Sequence, residues 1–211
     1  MDWATISSLA TGAGTLVLAA ATFASVRSSN RAARIAERAL QVGLRPLLMP
    51  SRLEDPSQKI RWIDNHWSHL DGGRALVEIA DGSVYLAMSV RNAGSGIAVL
   101  QSWHLETTLH SPGQPPANSN QFRDLSRDLY IPAGDVGFCQ AVLRNPEDGL
   151  YSDMTETIEQ RRPFVVDVRY GDHEGGQHTI TRFSITPIGD GQWLCGVVKH
   201  WNLDRPEPRL T

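Results

Sequence analysis

Charged, polar and apolar positions divide the chain sharply within its first quarter. Residues 3–26 are 24 consecutive positions without a charge, built mainly from Ala, Leu, Val, Thr, Ser and Gly. At about 1.5 Å of rise per residue such a helix reaches roughly 36 Å, enough for a hydrocarbon core of about 30 Å. Its strongly apolar members are Ile6, Leu9, Leu16, Val17, Leu18, Phe23 and Val26, diluted by three Ser, four Thr and two Gly. Seven such side chains supply only about −2 to −4 kcal/mol of insertion energy. The pattern predicts a transmembrane helix with a modest margin. A cleaved signal peptide is disfavoured because Met1-Asp2-Trp3 carries no Lys or Arg. A buried core helix is disfavoured by the length of the uncharged run.

The next segment changes period. Arg27, Arg31, Arg34 and Arg38 follow one another at steps of four, three and four, which keeps them within about 60° of one another on a helix. This stripe predicts contact with anionic lipid headgroups; the same residues equally suit a helix that only sets topology and solvates itself. Gly43 and Arg45-Pro46 supply a stop. Ser28-Ser29-Asn30 could cap a second helix, so one long helix and two helices both fit. With Asp2 before the span and five Arg after it, the positive-inside rule places the C-terminal part in the cytoplasm of a single-pass plasma-membrane protein. Ser8 with Gly12, and Ala10 with Gly14, form small-xxx-small pairs that would let two helices approach.

Beyond Pro46, alternation with a period of two takes over. Val84, Leu86, Met88 and Val90 interleave with Ser83, Tyr85, Ala87 and Ser89, the pattern of a half-buried strand. Asp81-Gly82 joins it to residues 75–80 as a tight hairpin. Further strands are predicted at 47–51, 97–105, 136–143, 164–170, 177–187 and 192–199. The glycine-rich segments 171–176 and 189–191 connect the last three. About eight strands predict an antiparallel β-sandwich, with a barrel as the alternative closure. Residues 111–120, with three Pro, read as a mobile surface loop; 153–160 as a short helix; 57–66 as ambiguous; and 205–211 as a frayed tail. The domain division is therefore 1–44, the spanning and Arg-rich helix, and 45–204, the β domain, followed by that tail.

Charge sharpens the division. Residues 1–45 carry five Arg against two acids, +3, which leaves 15 basic against 21 acidic residues, −6, in the remainder of a chain whose net charge is −3. An acidic domain on a basic stalk is a poor nucleic-acid binder. Two Cys, Cys139 and Cys195, and no Asn-x-Ser/Thr sequon suit a reducing compartment.

The chemistry-bearing motifs are incomplete. His173-Glu174-Gly175-Gly176-Gln177-His178 has the wrong spacing for a zinc-protease helix, because position 177 is Gln and two Gly disfavour helix. It reads as a hairpin turn in which Asp172, His173, Glu174 and His178 form a candidate ligand or interaction patch. His66 and His69 are three apart with no second ligand pair. Gly94-Ser95-Gly96 fits neither a nucleophile elbow nor a dinucleotide loop. Arg123, Arg127 and Asp128, and His200-Trp201-Asn202-Leu203-Asp204, are polar clusters that could line one groove or close loops as ion pairs. No catalytic residue, metal site or cofactor is assigned.

Four segments carry a resemblance: Leu44-Arg45-Pro46-Leu47-Leu48, Arg91-Asn92-Ala93-Gly94-Ser95-Gly96-Ile97-Ala98, the stretch from Arg127 to Asp135, and that from Tyr170 to Gln177. With the terminal span, they make the chain similar to a family of uncharacterised bacterial single-pass membrane proteins of high-GC Gram-positive type. Arg outnumbers Lys 18 to 2, in keeping with such a genome. The resemblance implies architecture and no activity. The expected function is a membrane-tethered, non-catalytic β-sandwich interaction module whose partners are anionic lipid and another protein or a second copy. The alternative is a membrane-bound hydrolase or small-ligand sensor using Asp172, His173 and His178.

Overall fold

The computed structural model describes residues 3–108 and 114–204, with the side chains of 3–11, 38, 41 and 42 outside the description. The chain separates into two compact units, 1–43 and 44–211. The first is one continuous helix, α1 (Trp3–Gly43), of 41 residues. Ser28-Ser29-Asn30 lies inside it, so the one-helix alternative holds; a Ser or Asn in a helix interior costs only a few tenths of a kcal/mol, roughly 0.5. Thr22 hides its hydroxyl by donating to the Leu18 carbonyl at 2.8 Å. The described apolar side chains of α1 are uncovered, with Leu16 74% and Phe23 69% exposed. Among the described residues no helix is long and apolar enough to cross a membrane. Ser8 and Ala10 of the small-residue pairs, and the Arg38 side chain, lie outside the described side chains, as does the whole of the tail 205–211.

The second unit is mainly antiparallel β. Its strands are β1 (Leu48–Pro50), β2 (Gln58–Arg61), β3 (Trp67–Leu70), β4 (Arg74–Ala80), β5 (Ser83–Asn92), β6 (Ala98–Glu106), β7 (Arg123–Ile131), β8 (Val136–Leu143), β9 (Phe164–Gly171), β10 (His178–Pro187) and β11 (Trp193–Asn202). The helix α2 (Gly149–Glu159) intervenes between β8 and β9. One lobe runs β7-β6-β9-β10-β11, and the other groups β1, β4 and β8 around β5. Among the described residues, two ladder pairs, Trp193–Ala75 and Leu194–Arg74, join the lobes. The expected sandwich is therefore met in its antiparallel β content, while the hydrogen-bonded path is a single nine-stranded sheet curled into a half-barrel. Leu86, Met88 and Cys139 from one lobe share one core with Leu100, Trp103, Phe164, Val166, Phe183 and Ile185 from the other.

Two departures from the sequence pattern have clear causes. β5 is not half-buried; nine of its ten positions are buried. The ribbon β2–β3 covers its outer face, packing Ile60, Trp62 and Leu70 on Tyr85 and Ala87. The ambiguous stretch 57–66 supplies β2 and the turn of that ribbon. β7 was not expected from the pattern, because its apolar Leu125 and Leu129 are separated by charges and it forms an edge with mostly exposed positions. The helix expected at 153–160 starts four residues earlier, at Gly149, because the Asp148 side chain caps it by accepting from the Leu150 N–H at 3.0 Å. Of the loop expected at 111–120, residues 111–113 are outside the described set. The Pro115 carbonyl accepts from Arg182, and the Ala117 N–H donates to Asp167.

The hairpins follow their turn residues. Asp81 and Gly82 both take positive φ, 50° and 71°, as do Asp190 and Gly191, 58° and 76°, the geometry that matches the right-handed twist of paired strands. The second of these turns pairs β10 with β11, whereas β9 and β10 are paired across the longer connection 172–177, in which Gly175 takes positive φ.

The four segments noted in the sequence meet at one place. Asn92 is fully buried. Its Oδ1 accepts from the N–H groups of Leu47 at 3.1 Å and Gly94 at 3.0 Å. Its Nδ2 donates to the carbonyls of Gly96 at 2.6 Å and Ile131 at 3.0 Å. Its backbone N–H and C=O pair with the Asp135 carbonyl and the Gly134 N–H. A Cβ at Gly96 would sit 1.7 Å from the Leu44 carbonyl oxygen, and one at Gly94 2.3 Å from that of Arg45. These glycines therefore serve close backbone approach. The buried Tyr170 hydroxyl accepts from the Leu48 N–H at 3.1 Å and meets Thr181 Oγ1 at 2.9 Å. Arg45 donates to Asn202 Oδ1 at 2.8 Å and to Asp204 Oδ1 at 3.1 Å.

Asn92→Ala strands two buried carbonyls, of Gly96 and Ile131, and two partly buried N–H groups, of Leu47 and Gly94; a buried group left unpaired costs about 1–3 kcal/mol. Chemical denaturation should show a loss of at least about 3 kcal/mol. Gly96→Ala should destabilise comparably, whereas Gly189→Ala, with open space around it, should shift the midpoint little. Equal stability of all three variants would contradict this account of the junction.

Candidate interaction groove

β7 and β8 are the two edges of the curled sheet, and the four residues 132–135 link them. Asn92 ties that turn down through Ile131, Gly134 and Asp135, so the two edges are held together at this end. Among the described residues no ladder joins β7 to β8 along their length. At the far end they part around a cavity of about 240 Å³ lined by Trp62, Trp103, Arg123, Leu125, Gln140 and Arg144, among others.

The shape of β7 opens this seam. Leu100 pairs with Leu129, but the next pair is Ser102 with Asp124. Four residues, 125–128, therefore stand opposite the single Gln101, a wide bulge that bends an edge strand away from its ladder. Arg127 and Asp128 lie in this bulge, both exposed, where charges discourage edge-to-edge pairing. The groove floor is aromatic. Trp103 is buried beneath the Arg123 guanidinium at 5.9 Å, and Arg123 pairs with Asp148 at 2.6 Å. Trp62 is only 3% exposed, yet among the described residues its indole Nε1 has no hydrogen-bond partner, and neither has the buried Oε1 of Gln140. Ile63, beside Trp62, is 79% exposed.

A second, wider cleft of about 560 Å³ adjoins the ribbon turn and shares Arg144. Asp64 organises it. Burial pushes its carboxyl up, but hydrogen bonds from Tyr85, Arg144 and the His66 amide outweigh this and hold it at about 2. The Tyr85 hydroxyl donates to Asp64 at 2.7 Å, and that hydrogen bond to the carboxylate, together with burial, raises the phenol. His66 stacks on Tyr85 with ring centroids 4.0 Å apart. His66 Nε2 lies 3.2 Å from Ser68 Oγ and 3.4 Å from Glu78 Oε2. A nucleophilic triad needs the serine and the acid on opposite ring nitrogens. Here both meet the same nitrogen, so the trio is a local hydrogen-bond cluster. Strand alternation puts His69 with Trp67 on the other face from Ser68, so His66 and His69 do not converge.

The patch expected around the β9–β10 turn is arranged for structure. Asp172 is buried, and its Oδ1 accepts from the N–H groups of Gly176 at 2.8 Å and Gln177 at 3.2 Å. His173 and Glu174 are exposed, and His178 begins β10 with its Nδ1 buried. Among the described residues no three His, Cys, Asp or Glu side chains could hold a metal ion together. Arg127 and Asp128 stand apart from this turn on β7, across β6 from β9. The 200–204 cluster and Arg123 do not share a groove either, since β6, β9 and β10 lie between β7 and β11. Asn202 and Asp204 hold Arg45 instead, and Trp201 lies under Arg182 at 5.1 Å. Arg27, Arg31 and Arg34 are exposed on α1.

Trp62, Trp103, Gln140 and Arg144 were not expected as one site. They come from three separate segments, Gln140 and Arg144 both from the end of β8, and only the alternation of β6, which places Trp103 with Leu105 in the core, hinted at any of them. Comparison with known proteins finds no matching family model, no matching curated protein and no matching solved structure.

Asp64, Asp55, Asp148 and Asp204 are all held below the ordinary carboxylate value. A depressed folded-state pKa contributes stability that is complete above the unfolded value and lost as pH falls through the folded one. For Asp64 that window runs from 3.8 down to about 2. The thermal unfolding midpoint should therefore fall steadily as pH drops between these values, and Asp64→Asn should flatten the slope. An unchanged slope in the variant would remove Asp64 from the account.

Proposed function

We propose that the chain is a membrane-tethered interaction module: the N-terminal helix spans the plasma membrane once, the β-sandwich-like domain lies in the cytoplasm, and that domain binds another polypeptide without catalysing a reaction. The observation that carries the binding half is the open seam between β7 and β8, an aromatic-floored groove between two strand edges with no ladder partner in it. The tethering half is supported by the 24 uncharged residues from Trp3 to Val26, by the continuity of α1, and by the exposed Arg27, Arg31 and Arg34, which with Arg38 suit anionic headgroups.

Two measurements test the halves separately. Cys139 and Cys195 are buried, and burial pushes both thiols up to about 12, so native background labelling should be low. An impermeant maleimide applied to intact cells should leave Glu174→Cys unlabelled until the membrane is permeabilised; external labelling overturns the cytoplasmic placement. A photo-crosslinking residue at Ser126, in the groove wall, should capture a reproducible polypeptide in native membranes. The same residue at Leu194, which is exposed on β11, marks the far side of the domain. Random neighbours from both positions would sink the interaction reading.

A further inference from the structure

Within that interaction reading, we infer that the β7–β8 groove accepts an extended, uncharged peptide strand, one of whose backbone amides pairs with Trp62 and Gln140. Three observations converge on this ligand chemistry. The first is a matched pair of unmet groups. Among the described residues the Trp62 indole is a donor with no acceptor and the Gln140 Oε1 an acceptor with no donor, and both side chains line the same 240 Å³ cavity. A buried polar group left unpaired is costly, and native folds rarely keep two together without a partner. A peptide group carries one acceptor and one donor a few ångströms apart, so a single amide satisfies both.

The second observation is the backbone on either side. No strand pairs with the outer edges of β7 and β8 among the described residues. An antiparallel strand turns every other N–H and C=O away from its single neighbour, so β8, paired only with β5, offers a template for strand addition. The bulge at 125–128 holds β7 away from β8 at this end, leaving space for an entering chain.

The third is charge. Arg123 and Arg144 at the rim are already paired with Asp148 and Asp64, and Asp124 stands beside them. Two arginines against three aspartates leave a single net negative charge, so the groove offers an acidic ligand no attraction and holds no strong charge that would select a basic one. Trp103, Leu125 and Val142 in the lining suit an apolar side chain next to the pairing amide.

The test uses the full-length chain in mild detergent and a display library of random dodecapeptides. Enriched peptides should be uncharged and apolar at their centre. When the best binder is resynthesised with each backbone nitrogen methylated in turn, methylation at one central amide should weaken binding about tenfold, as expected for the loss of one buried hydrogen bond. In Gln140→Leu the same methylation should cost little, because its acceptor is gone. No enrichment, a methylation scan without effect, or an equal penalty in Gln140→Leu overturns the inference. So does concentration-dependent self-association that blocks the groove, which would make a second copy the occupant. Capture of a polypeptide at Leu194 but not at Ser126 would leave the interaction reading standing while removing this groove as its site.

Discussion

The side-chain amide of Asn92 has four hydrogen-bonding positions, and the fold uses all of them. Its partners come from three parts of the chain: the entry segment at Leu47, the turn at Gly94 and Gly96, and the end of β7 at Ile131. A buried amide is tolerable only when fully paired, so each segment is held in place by the presence of the others. The curl of the sheet depends on this point. Asn92 ends β5, which carries β8 along one side, and it ties down the turn from which β7 departs, so the opposite edges of a nine-stranded path are brought together.

Around that fixed point the two lobes need little direct connection. Two residue pairs between β11 and β4 suffice because the shared core of aromatic and aliphatic side chains supplies the adhesion, with each fully buried Leu or Phe contributing about 1.5–3 kcal/mol. β5 bears more than any other strand. It meets the core with Val84, Leu86, Met88 and Val90, and the ribbon with Tyr85 and Ala87. The ribbon then does two jobs at once. Trp62 seals the outer face of β5, and the turn that follows carries Asp64 and His66 into the open cleft.

The strands with strict alternation, β5, β9 and β10, and the hairpins at Asp81-Gly82 and Asp190-Gly191, could be read directly from residue pattern because their determinants are local. β7 could not, since an edge strand that alternates charges with isolated leucines looks like loop. The double burial of β5 was hidden for a different reason: Ser83, Tyr85, Ala87 and Ser89 are semi-polar, and only the ribbon decides whether they meet water. Ser89 shows how the ribbon accommodates them, with its hydroxyl bonded to Ser51 at 2.6 Å and to Gln58 at 3.1 Å. The Asp172 turn was legible as a turn, and its carboxylate serves the backbone amides of Gly176 and Gln177. The groove was invisible in one dimension, being assembled from residues as far apart as Trp62 and Arg144.

The clasp between Arg45 and Asp204 joins residues 159 positions apart, and that between Leu48 and Tyr170 joins residues 122 apart. At a synthesis rate of about 5–20 residues per second, roughly 8 to 32 s separate the making of Arg45 from the making of its carboxylate partner. Throughout that interval the first strand of the domain has left the ribosome without its final neighbours. Docking of β1 thus waits for β9 and for the residues after β11, so a strand made early in this domain is among the last in it to find its place.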